Sequence, residues 1–129
     1  MSDNLQLALV VMPLRTDRLL EQKKDIITNI FGSRAILPAF YGPEDSEIYD
    51  VGNTIKMLKK VGLIIADLSY ERPSCYYELG LAQALKTKTM IIAEYGSVIH
   101  QHYGEVNFYA NLDEYRNKIK EAYESLFIN

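Results

Sequence analysis

Residues 63–85 read LIIADLSYERPSCYYELGLAQAL. The stretch opens with an apolar run, Leu63-Ile64-Ile65-Ala66, that stops at Asp67. A polar connection follows, and Pro73 or Ser74 begins a helix running to about Lys86. Apolar residues in unbroken succession fit a strand covered on both faces, as in a parallel sheet. Proline suits the first helical turn, where its missing N–H has no partner to lose. A buried strand followed directly by a helix is the first half of a parallel crossover unit, so this one stretch sets the class as α/β.

The same alternation extends in both directions. On the N-terminal side Leu5–Met12 is an apolar run closed by Pro13. Asp17–Phe31 then carries Leu19, Leu20, Ile26, Ile27, Ile30 and Phe31 at mostly helical spacing, with Gly32 as its stop. Arg34–Leu37, closed by Pro38, is a short strand, Tyr41–Asp50 an acidic loop, and Gly52–Lys60 a short helix whose end is assigned to a left-handed Gly62. On the C-terminal side Met90–Ala93 and Val106–Tyr109 are the fourth and fifth strands. After Ala110 or Asn111 a final helix aligns Leu112, Tyr115, Ile119, Ala122, Tyr123 and Leu126 on one face. No hairpin signal, internal repeat or linker interrupts the pattern, so residues 1–129 read as a single domain.

Composition narrows the function. With 129 residues, 48% of them apolar and 24% charged, the chain is long enough for one genuine core. It shows no leader pattern and no apolar run of about 18 residues, so a cytoplasmic protein with no membrane association is expected. The single cysteine, Cys75, has no internal disulfide partner and forms no Cys-rich zinc site. A net charge of -3 and the acidic run Glu44, Asp45, Glu47, Asp50 disfavour nucleic acid as a partner. His100 and His102 lack an evident third ligand, so no metal is expected. Neither a G-x-G-x-x-G after the first strand nor a P-loop occurs, which argues against a bound dinucleotide cofactor and against phosphohydrolase chemistry.

Two carboxylates remain to be explained. Asp67 stands at the carboxyl end of a parallel strand, where ligands of open α/β sheets gather; a strand-end Asp also caps the turn that follows it. Glu78 shares a helix face with Leu81, Ala82 and Leu85, which places a carboxylate in line with an apolar stripe that should be buried. Burial of a carboxylate costs free energy unless donors, a helix start or a ligand compensate. It is also open to Glu78 to be a helix-start acid whose head reaches water. Gly80, inside the same helix, suggests close approach of another group to the backbone. A partly desolvated carboxylate suits reactions that develop positive charge on a sugar ring, either stabilising an oxocarbenium ion or attacking the anomeric carbon.

The residues Ala66-Asp67-Leu68-Ser69 and Pro73-Ser74-Cys75-Tyr76-Tyr77-Glu78-Leu79-Gly80-Leu81-Ala82-Gln83-Ala84-Leu85 resemble the "ADLT…PNVYYELGxAxAL" signature of a group of small domains, nucleoside 2-deoxyribosyltransferase-like and TIR-like (Toll/interleukin-1 receptor-like). Val10-Val11-Met12-Pro13-Leu14 is similar to the group's first-strand motif, and Val106 through Arg116 to the last strand and helix of TIR-like members. The resemblance implies a flavodoxin-like three-layer fold with a five-stranded parallel sheet of order 2-1-3-4-5. It also implies cleavage or exchange of an N-glycosidic bond, with Glu78 as catalytic carboxylate and Asp67 as the residue that contacts the sugar or base. Met12, Pro13 and Leu14 match the loop that lines the pocket, with Ser69 in the strand-end motif; read from residue chemistry alone, Arg15 suits a phosphate or a surface salt bridge, and Tyr77 a stacked base or half-buried packing. Glu71-Arg72-Pro73-Ser74-Cys75 stands where true transferases carry Asp-Ser-Gly-Thr, so the chain is closer to TIR-like members, several of which hydrolyse NAD or act in prokaryotic defence signalling. Three functions follow as expectations: an N-glycosidase with NAD as first substrate, a base-exchanging deoxyribosyltransferase, or a non-catalytic nucleotide-binding module. Homo-oligomers are common in the group.

Overall fold

The strand runs that the sequence marks as continuously apolar are the interior of one sheet. The structure, a computed structural model, describes residues 6–12, 18–37, 51–69, 73–99 and 105–127, without the side chains of residues 51, 53, 54 and 73–77. The strands are β1 (Ala8–Val11), β2 (Ala35–Ile36), β3 (Leu63–Asp67), β4 (Lys88–Glu94) and β5 (Val106–Tyr109). All pair in parallel in the order β2-β1-β3-β4-β5. The register sets Ala8 against Ala35 on one side and Leu63 on the other, and Asp67 against Ile92. The helices are α1 (Leu20–Phe31), α2 (Val51–Leu58), α3 (Pro73–Ala84) and α4 (Leu112–Ser125). This is the α/β, flavodoxin-like arrangement expected of the chain.

Side-chain alternation along the strands divides the core in two. Ala8, Val10, Leu63, Ile65 and Ile92 face α1 and α4, where they meet Ile26, Ile27, Phe31, Tyr115, Ile119 and Ala122. Leu9, Val11, Ile64, Ala66 and Ile91 face the other way, where Leu58 of α2 and Leu79 and Ala82 of α3 cover them. The chain leaves β1 toward β2 in one direction and β3 toward β4 and β5 in the other, so the winding reverses between β1 and β3. Open α/β sheets bind their ligands outside the carboxyl ends of the strands at such a reversal.

Some local readings change. Gly62 is not left-handed: α2 ends at Leu58, and the glycine serves close approach, its N–H bonded to the Leu7 carbonyl at 3.1 Å. A Cβ there would stand 3.3 Å from the Leu126 side chain. The left-handed residue after a helix is instead Lys86 (φ 62°), beyond α3. Lys86 N–H reaches the Gln83 carbonyl and Thr87 N–H the Ala82 carbonyl, the paired bonds of a Schellman ending. Leu85 falls in this turn and is exposed, so the buried stripe of α3 is Leu79 and Ala82 rather than a face continuing to Leu85. Gly80 is exposed, and among the described residues an added Cβ would meet no atom of another element within 4 Å.

Candidate functional site

Parallel crossovers return each helix start to the carboxyl edge of the sheet, and α3 brings Glu78 there in its second turn. The neighbouring Leu79 is buried in the cluster that contains Ile64, Ala66 and Leu68, which seats the helix on the sheet, while Glu78 is half-buried. Burial pushes the Glu78 carboxyl up to about 7 from an ordinary 4.5. A carboxyl that titrates near neutral pH can take up and release a proton there, which suits general acid or base work.

Asp67 closes β3, and the alternation that sends Ile65 toward α1 and α4 sends Asp67 the same way. Its side chain is 1% exposed. One oxygen, Oδ1, accepts from the Ser69 backbone N–H at 3.0 Å, the local turn bond of a strand-end Asp. The other, Oδ2, accepts from the Tyr109 hydroxyl at 2.7 Å and lies 3.9 Å from Lys23 Nζ. Lys23, fully buried on α1, donates to the same hydroxyl at 2.6 Å and lies over the rings of Tyr109 and Tyr115. Ser69 Oγ is 3.4 Å from that hydroxyl and accepts the Glu94 backbone N–H at 2.7 Å. Burial raises the Asp67 carboxyl above its usual range, opposed by the Lys23 charge and by the bonds from Ser69 and Tyr109. Burial and the Asp67 charge together push the Tyr109 hydroxyl up, so it stays a donor.

The structure thus separates the two carboxylates. Asp67 is turned into the layer beneath α1 and α4, whereas α3, which carries Glu78, covers the opposite face. Met12 is buried on the Asp67 side, in the α1 and α4 cluster, and Ser69 is buried as part of the polar network. Pro13, Leu14, Arg15, His100 and His102 lie outside the described residues, as do the side chains of Cys75 and Tyr77. Among the described residues no group of three His, Cys, Asp or Glu could hold a metal ion.

The sequence pattern left Lys23 unremarked and marked Tyr109 only as the end of the fifth strand. Lys23 nevertheless lay in the apolar stripe, three residues before Ile26 and four before Ile27, the same anomaly that drew attention to Glu78. No protein-family model matches the chain, and no curated protein is significantly similar to it.

Proposed function

We propose that the protein cleaves the N-glycosidic bond of a nucleotide, NAD first, with Glu78 as the catalytic carboxylate. The observation that carries this reading is the half-buried Glu78 at the carboxyl edge of the sheet, with its carboxyl raised to about 7. In the ionised form it faces C1′ as the C1′–N bond breaks. The bonding electrons leave with the base, positive charge develops on the ring, and Glu78 stabilises or captures it until water adds to C1′ and releases a proton.

NAD suits a site in which Glu78 works without a second acid. Its nicotinamide ring is already cationic and departs neutral, so no second acid is needed, and Asp67 has both oxygens engaged inside the protein. A deoxynucleoside base must be protonated as it leaves, which makes the deoxyribosyltransferase alternative the more demanding one. The enclosed Asp67 favours a further reading, a nucleotide-binding module without turnover, since it removes the expected partner of Glu78. The reading includes a cytoplasmic homo-oligomer, checked by sedimentation at assay concentration.

The test is incubation of concentrated wild type and Glu78→Gln with NAD, NADP, nucleoside monophosphates, and a deoxynucleoside supplied with a second base, followed by chromatography. Release of nicotinamide by wild type, reduced at least about a hundredfold in the variant, is expected for loss of a group stabilising the transition state. A new nucleoside would favour the transferase, and saturable binding without product the binding module.

A further inference from the structure

The buried network does not end at Asp67. Asp67 and Ser69 are both held on the α1 and α4 side, and the residue between them, Leu68, points the other way into the cluster that contains Leu79. Leu68 is fully buried and its N–H is bonded to the Ile92 carbonyl at 2.9 Å. Ser69 Oγ in turn fixes the first N–H beyond Ala93, that of Glu94. Three strand ends and α1 are therefore tied together by four side chains, and the residue they clamp forms part of the floor under the turn of α3 that carries Glu78.

We propose that Lys23, Tyr109, Asp67 and Ser69 are positioning residues that hold Leu68 beneath Leu79 and thereby fix the depth at which Glu78 sits in its crevice. This rests on Glu78 being the functional carboxylate. It assigns Asp67 a role reached through the fold rather than through contact with a sugar. The polar network is confined to the α1 and α4 face, yet its mechanical consequence appears on the other face, because consecutive residues of an extended chain point to opposite sides of a sheet.

Tyr109→Phe tests the idea with little change in shape: the ring keeps its edge contact with Tyr115, 5.0 Å between centroids, while the hydroxyl shared by Lys23 and Asp67 is removed. The readout is the titration midpoint of the Glu78 carboxyl, followed by carbon-13 NMR with Glu78→Gln for assignment; it needs no turnover, so it is independent of whether NAD is a substrate. Ile119→Val, in the same α1 and α4 cluster but outside the network, controls for general loosening. The midpoint is expected to fall by about one pH unit in Tyr109→Phe, as water reaches a less deeply seated carboxyl, and to stay put in Ile119→Val. Should Tyr109→Phe fail to fold, Ser69→Ala, which removes the Glu94 tie and the contact with the Tyr109 hydroxyl but leaves the Lys23–Tyr109–Asp67 bonds, gives the same readout. An unchanged midpoint in the network variant, or an equal fall in the control, overturns the proposal.

Discussion

Lys23 and Glu78 are both charged residues set in apolar helix stripes, and the protein treats them differently. Lys23 has a carboxylate and a hydroxyl to meet its ammonium, whereas the Glu78 carboxyl is raised by desolvation. Removing one member of a buried ion pair leaves the other uncompensated, so Lys23→Met and Asp67→Leu should each cost about 3–5 kcal/mol in urea melts. The double variant should cost clearly less than their sum. Glu78 has the opposite signature. Its folded value of about 7 lies above the ordinary 4.5, so its contribution to stability is complete below the lower value and lost as pH rises through the higher. Glu78→Gln should match wild type near pH 3.5 and exceed it by roughly 1–3 kcal/mol above pH 8; equal stability at both ends would show that the carboxyl is not desolvated. Both anomalies were legible as stripe violations. What the stripe could not tell was the partner: Lys23 and Tyr109 are 86 residues apart, and Asp67 and Tyr109 are 42 apart, distances that no local pattern spans.

At the level of elements, ends decide more than interiors. Asn111 caps α4 by accepting the Glu114 N–H at 2.9 Å, and the Glu114 carboxylate reaches back to the Ala110 N–H at 2.7 Å. Asn111→Ala should therefore lower stability by about 1 kcal/mol, read in thermal melts. The far end of α3 offers the reverse change. Lys86 holds a left-handed conformation that glycine adopts without steric cost, so Lys86→Gly should be neutral to stabilising, by up to about 1 kcal/mol. The cap at Asn111 and the strand limits at Val106 and Tyr109 could be read from residue type. The α3 ending could not, because Lys86 carries no turn signal, and the tempting glycine, Gly62, was chosen for room beside Leu7 and Leu126 rather than for its φ angle.

Across the whole molecule, the alternation of buried strands and amphipathic helices dictates a parallel sheet covered on both sides, and the two core clusters are the result. Alternation alone does not give the strand order; that expectation came from the motif around Asp67 and Glu78, and the order β2-β1-β3-β4-β5 agrees with it. No helix among the described residues is long and apolar enough to cross a membrane. Among the described residues the larger exposed apolar side chains are Leu85, Tyr95, Val98, Phe108 and Phe127, with Tyr95 and Phe108 in edge contact. The central claim concerns how this sheet edge uses one carboxylate. Its most direct test is kcat/KM for nicotinamide release from NAD by wild type and Glu78→Gln between pH 5 and pH 9. We expect the wild-type value to rise about tenfold per pH unit at low pH and level off above about 7, as the ionised carboxylate accumulates in the free enzyme, with the variant low and flat throughout. No release by wild type at any pH, or equal release by the two proteins, would contradict the account.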